Sequence, residues 1–304
     1  MNLITAWRAR FAALDGNHRG IAWMVVSALC FATVAAQVKL LGQQMPPQQV
    51  AFFRCLFGLL VLLPLFWSTQ GRVLHTRCWT THLSRSLLGL LAMNVTFWAV
   101  VHLPLADVTA LSFSSPLFTI LLAVLLLREH VSLSRWMATL TGFAGVLVMV
   151  RPGGEGFDPA LLMALASPLL VALVRVLIKQ MTRTEGTLTV VAWFSILGTL
   201  ISALPAWITW VTPTPAAWAQ GLLMGAVATI AQLAMTEAYR EAEASAVTPF
   251  DYLRLVITTL YGMLLFGDIP DRWTFLGSLM VFASHLYMLR TAHQERDGGT
   301  LSPG

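Results

Sequence analysis

The 304 residues are 57% hydrophobic and only 11% charged, with 19 Lys and Arg against 14 Asp and Glu. A soluble domain carries about 25% charged residues because its surface must face water. So few charges cannot coat a 33.3 kDa globule, and a mean hydropathy of +0.72 points to lipid as the main solvent. The net charge of +5 is then first a topology signal rather than a nucleic-acid signal.

Apolar runs of about 17–25 residues between short polar joints mark spanning helices. Ten are predicted, over 20–41, 48–67, 83–101, 104–127, 134–150, 159–181, 187–210, 216–238, 245–266 and 273–290. Their joints carry turn residues, as in Met45-Pro46-Pro47, Arg151-Pro152-Gly153-Gly154 and Thr212-Pro213-Thr214-Pro215. The Val101-His102-Leu103-Pro104 joint is so short that the third and fourth helices must form a tight antiparallel pair. The N-terminal tail, 1–19, and the Gly-rich tail after Arg290 read as poorly ordered.

Several chemistries are missing. Cys30, Cys55 and Cys78 form neither a disulfide framework nor a zinc spacing. No HExxH, P-loop, GxSxG or CxxC motif occurs. Nothing here predicts an enzyme, a cofactor, a bound metal or a nucleotide-driven pump. The predicted partners are the lipid bilayer and a small-molecule substrate, with no nucleic acid; a homodimer is left open.

Basic residues set an orientation. With the N-terminus inside, the inner tails and loops hold Arg8, Arg10, Arg19, Arg72, Arg77, Arg85, Arg128, Arg135, Lys179, Arg183, Arg240, Arg290 and Arg296, against Arg151 and Arg272 outside. The positive-inside rule then places both termini in the cytoplasm. A cleavable signal peptide ending at Val34-Ala35-Ala36 is the competing reading of the first helix, but its apolar run is longer than a signal core.

Ten helices divide into two fives, and because five is odd, homologous halves must insert with opposite topology. The fourth helix starts Ala106-Asp107-Val108-Thr109-Ala110 and ends Leu127-Arg128-Glu129, before Arg135-Trp136. The ninth starts Ser245-Ala246-Val247-Thr248-Pro249 and ends Phe266-Gly267-Asp268, before Arg272-Trp273. Lys39 and Lys179 match near the ends of helices 1 and 6. Such inverted repeats build many secondary transporters, with the substrate site between the halves.

The run from Leu103-Pro104-Leu105-Ala106-Asp107 to Ser115-Pro116-Leu117-Phe118 resembles the EamA domain of the drug/metabolite transporter superfamily. So do Arg128-Glu129, Gly142-x-x-Gly145, Thr248-Pro249-Phe250-Asp251-Tyr252 and the segment from Trp273 to Gly277. Asp268 departs from the family's usual Glu but keeps the charge. The resemblance implies an all-α integral membrane protein of two inverted five-helix repeats, 20–150 and 159–290, flanked by cytoplasmic tails 1–19 and 291–304. It implies alternating access, and a central cavity lined by helices 1, 3, 4, 6, 8 and 9. It fixes no substrate.

Four basic residues fall inside predicted spans: Lys39 and Arg54 in the outer half, Arg175 and Arg254 in the inner half. A central charge costs about 2.5–3.5 kcal/mol on insertion scales, so each needs a partner, water or a snorkelling route. Asp107, Glu237 and Asp251 lie at comparable depth. One reading makes these structural ion pairs, as for Asp251 and Arg254 at i,i+3. The other has Arg54, Arg175 and Arg254, with Lys39, meet an anionic substrate, since the Arg fork binds carboxylate bidentately. The three acids are then candidates for proton coupling. Asn94, Trp98, Gln232 and Tyr252 are the remaining candidate substrate contacts, against the alternatives of interhelical hydrogen bonding and interface anchoring. Pro116 and Pro168 interrupt helix hydrogen bonding. Ala28, Ala32 and Ala36, and Gly221 and Gly225, repeat at i,i+4 as packing positions.

Together these features predict an inner-membrane secondary transporter of small, carboxylate-bearing, amino-acid-like metabolites. Export is favoured, and an opine-type metallophore suits the basic pathway. The alternative is uptake of a metabolite such as S-adenosylmethionine or a carboxylate.

Overall fold

The computed structural model describes residues 16–69, 71–112, 114–115, 117–118, 121–122, 133–150, 158–181, 184–242, 250 and 253–298. Arg128, Glu129, Pro116, Asp251 and Tyr252 lie outside the described residues, as does the side chain of Arg175. Among the described residues ten α-helices follow one another: α1 Gly16–Leu41, α2 Pro47–Ser68, α3 Trp79–His102, α4 Leu105–Ser112, α5 Leu133–Val150, α6 Pro159–Met181, α7 Thr187–Ile208, α8 Pro215–Glu241, α9 Leu253–Tyr261 and α10 Arg272–Gly298. A single 3₁₀ turn, Arg72–Leu74, joins α2 to α3, and a π turn, Gly262–Phe266, ends α9.

The apolar runs become helices because lipid offers the backbone no hydrogen bonds, so each polar peptide group must be satisfied within its own segment. Proline opens α2, α6 and α8, where its missing N–H is no loss. Five of the helices are long and apolar enough to cross a membrane: those of His18–Leu41, Pro47–Ser68, Trp79–His102, Thr187–Ile208 and Pro215–Ala238. Their outward faces are apolar. On α7, Leu200 and Leu204 are 66% and 67% exposed, and Trp207 is 79% exposed. Side chains of this size turned outward in rows are suited to lipid.

Several boundaries differ from the sequence reading, and those of α3 and α10 differ most in consequence. Helix α3 starts at Trp79, not 83, which draws His82 into the span. Arg85, read as an inner-loop charge, is instead a buried residue of α3 at 4% exposure. The C-terminal segment does not become irregular after Arg290: α10 continues to Gly298, because no helix breaker intervenes before the Gly298-Gly299 pair.

Helix pairing repeats between the halves. α1 packs on α8 and α6 on α3; α1 meets α9 and α6 meets α4; α2·α8 is matched by α7·α3. The pairs α2·α7, α4·α9 and α5·α10 map onto themselves. The joints show the inversion. The α2–α3 joint meets the α6–α7 joint through Thr76 and Glu185 at 2.7 Å, at the end where Arg19 of α1 pairs with Glu241 of α8. The α1–α2 joint meets the α7–α8 joint at the other end, where Gln49 donates to the Val211 carbonyl (2.8 Å) and accepts from its N–H (3.0 Å). The α1–α2 joint and its counterpart α6–α7 therefore lie at opposite ends.

Close approach needs small residues. At the α5·α10 contact a Cβ on Gly145 would stand 2.8 Å from the Gly277 carbonyl oxygen, and one on Gly277 would stand 2.4 Å from that of Gly145. Ala28 and Ala32, both at 0% exposure, let α1 press against α8, and Ser27 there donates to the Ala231 carbonyl at 3.1 Å. The main core runs through α1, α2, α3 and α8, including Val38, Phe53, Phe57, Phe97 and Met224.

Candidate functional site

A small cavity lies between α2, α7 and α8, lined by Arg54, Cys55, Gly58, Val191, Phe194, Ser195, Ala228, Thr229 and Gln232. Arg54 is seven residues into α2, or about 10 Å along the axis at 1.5 Å per residue. Its guanidinium reaches the Met93 sulfur on α3 at 3.4 Å and stands 5.8 Å from the Phe194 ring centroid. Arg85 of α3 stacks on the same ring at 4.1 Å. The two guanidiniums thus share one ring, and neither has a carboxylate partner among the described residues. Phe194 offers each the negative face of its π system, which offsets only part of what the buried Arg85 and the half-buried Arg54 lose in leaving water. An anion placed between them would complete the balance.

The sequence candidates divide by place. Gln232 joins Arg54 in the cavity wall. Asn94 donates to the Leu90 carbonyl at 2.9 Å, while its Oδ1 is buried without a partner. Trp98 stacks on His102 with centroids 4.6 Å apart, at the end of α3 away from Arg85. Arg254 donates to the Ser112 hydroxyl at 3.2 Å, joining α9 to α4, and does not line the Arg54 cavity. Lys39 forms an ion pair with Asp268 and donates to the Leu103 carbonyl.

Among the acids, Asp107 accepts from the Thr274 hydroxyl at 2.6 Å, fastening α4 to α10. Glu237 pairs with Arg240 one turn on, at 3.2 Å. Pro168 sits inside α6 beside Ser167, whose hydroxyl bonds Thr96 and the Ala92 carbonyl of α3. The interruption thus falls where α6 already has interhelical partners.

Sequence reasoning missed Arg85 and its neighbours His82 and Ser86. The signal was present as spacing: 82, 85, 86, 89 and 93 recur at helical intervals along one face. Sequence alone assigns Arg85 to the inner side because it falls near the edge of an apolar run, where basic residues are ordinarily interfacial.

Ten helices in two inverted halves, with buried cations between them, define a membrane transporter. The chain belongs to the EamA-like transporter family, whose pattern matches residues 18–151 and again 158–290. It is similar to the S-adenosylmethionine uptake transporter of Rickettsia bellii, 28% identical over 91% of this chain and 95% of that one. It is similar to the riboflavin transporter of Rhizobium johnstonii, at 32% over 89% and 91%. The pseudopaline exporter CntI of Pseudomonas aeruginosa is 28% identical over 91% and 98%. A solved crystal structure, 21% identical, shares the fold with a TM-score of 0.64 over 91% of this chain and 98% of its own. The protein is thus a multi-pass metabolite transporter of the drug/metabolite transporter superfamily, and not an enzyme.

Proposed function

We propose that this transporter sits in the bacterial inner membrane with both termini in the cytoplasm and exports small, carboxylate-bearing, amino-acid-like metabolites by alternating access. An opine-type metallophore, with several carboxylates and an amine, is a substrate of this class. The observation that carries the reading is the half-buried Arg54 and the buried Arg85, both over the Phe194 ring without a described carboxylate partner. A substrate carboxylate is the counter-ion such a site lacks, and Arg supplies the bidentate geometry for it. Gln232 adds a neutral contact in the same wall. Arg175, Arg254, Lys39, Asn94, Trp98 and Tyr252 are proposed as further contacts along the path, and Asp107, Glu237 or Asp251 as the carrier of a coupled proton.

Export is supported by the similarity to a pseudopaline exporter. Uptake is the second reading, supported by an equal identity to S-adenosylmethionine uptake transporters. S-adenosylmethionine also carries a carboxylate, so the same cation pair serves either direction.

Metabolite profiling of cells and medium, comparing a deletion strain with its complemented parent in rich and metal-poor medium, tests this. A carboxylate-rich compound trapped inside the deletion strain establishes export and names the substrate. Slower depletion of such a compound from the medium establishes uptake. Unchanged pools in both media count against the anionic substrate.

A further inference from the structure

Buried polar atoms without partners gather on facing stretches of α3 and α7. His82 is 0% exposed, and neither ring nitrogen has a hydrogen-bond partner among the described residues. One turn further along α3, Arg85 leaves Nε and Nη1 unpartnered, and Ser86 its Oγ. Across the interface on α7, Trp193 leaves Nε1 unpartnered, with its ring centroid 5.8 Å from that of His82. Residues 82, 85 and 86 share one face of α3 by their i, i+3, i+4 spacing. Gly89 continues that face against Phe194, where a Cβ would stand 3.1 Å from the ring.

Buried polar groups in native proteins are nearly always satisfied, so several orphans along one seam point to a partner that arrives with a ligand. The chemistry of the set says which kind. Arg85 and Trp193 Nε1 only donate, while His82 and Ser86 each bring a donor of their own. A donor-rich set around a fixed positive charge fits an anion, and the guanidinium fork fits a carboxylate. Glu185, in the α6–α7 joint, is already engaged by the Thr76 hydroxyl at 2.7 Å and the Arg77 N–H at 3.1 Å.

We infer that His82, Arg85, Ser86 and Trp193 form a second carboxylate subsite on the α3–α7 seam, while Arg54 and Gln232 hold a first acidic group in the cavity between α2, α7 and α8. This rests on the carboxylate-substrate reading above and sharpens it: the substrate class is a metabolite with two acidic groups, one for each subsite. Transport of monoacids then uses the Arg54 side alone.

The test uses the purified full chain in lipid nanodiscs and calorimetric titration with two matched pairs, glutarate against glutaramate and L-glutamate against L-glutamine. The wild type is expected to bind each diacid about tenfold or more tightly than its amide, the worth of one charge-assisted contact. The double variant His82→Phe/Ser86→Ala keeps the packing against Trp193 but removes donors. It is expected to lose most of that preference, diacid binding falling far more than amide binding. His82→Gln, which keeps a side-chain donor, is expected to retain most of it and shows that the seam still folds.

A double variant that keeps the preference overturns the subsite, as does one that loses diacid and amide in equal measure. Equal wild-type affinity for both members of each pair also overturns it and leaves the carboxylate reading standing. A wild type that binds none of the four overturns both.

Discussion

Lys39, on the last turn of α1, is clasped by the carboxylate of Asp268, 229 positions later in the chain. The same ammonium donates to the Leu103 carbonyl at 3.3 Å, and Asp268 accepts from the Leu105 N–H at 3.4 Å. Three separate pieces meet there: the end of α1, the α3–α4 joint and the α9–α10 joint. Gly267 makes the geometry possible, since its φ of 69° turns the chain out of the π segment, a conformation that glycine adopts without steric cost.

Breaking this pair from one side should cost more than removing it whole. Lys39→Met leaves Asp268 without its cation, and Asp268→Asn leaves Lys39 without its anion. Each is expected to lower stability by about 3 kcal/mol, in the range for a poorly solvated pair that loses one partner. The Lys39→Met/Asp268→Asn double variant is expected to be less destabilised than the sum, and thermal melts of the four proteins in detergent form the double-mutant cycle.

Arg54→Gln is expected to weaken transport of an anionic substrate in proteoliposomes by about tenfold or more, the loss of one charge-assisted carboxylate contact. Its thermal melt should stay near that of the wild type, because no described ion pair is broken. Arg54→Lys restores the charge but not the planar fork, so recovery should be partial.

Gly277→Val puts a branched side chain where even a Cβ would stand 2.4 Å from the Gly145 carbonyl oxygen and 2.4 Å from Met149 Cγ. Backbone on backbone leaves little to repack. Overpacking of this kind costs about 1–3 kcal/mol or more, and size-exclusion chromatography with a thermal melt should show a destabilised or aggregated protein.

Cys78 stands just before α3 at the joint that meets Thr184, with its Sγ 3.8 Å from the Thr184 hydroxyl. In a Cys30→Ser/Cys55→Ser background, a membrane-impermeant maleimide is expected to label Cys78 in inverted vesicles and not in intact spheroplasts. Labelling in spheroplasts would reverse the proposed orientation.

Much of the architecture was legible because the bilayer is a simple solvent. A run such as 187–210 must be helical to satisfy its own backbone, and it differs from α7, Thr187–Ile208, only by the two residues at its end. The matching steps at Arg135-Trp136 and Arg272-Trp273 exposed the repeat, and the inversion followed from five being odd. The family resemblance was carried by the same residues.

The site was only half legible. Arg54 and Gln232 could be singled out as polar letters in apolar runs, and both line the cavity. Arg85 and His82 stand near the start of a span, where sequence alone treats a basic residue as an interfacial anchor. Their burial depends on how far α3 extends and on the face it turns toward Phe194 and Trp193 of α7. Asp107 and Lys39 show the same dependence, since their partners Thr274 and Asp268 arrive from the other half of the chain. Hydropathy is summed along a segment and needs no neighbour, so the sequence by itself determined the spans, the repeat and the family. Which charges within the helices meet a partner among the described residues is a matter of distance across helices, and that was decided only by the tertiary structure.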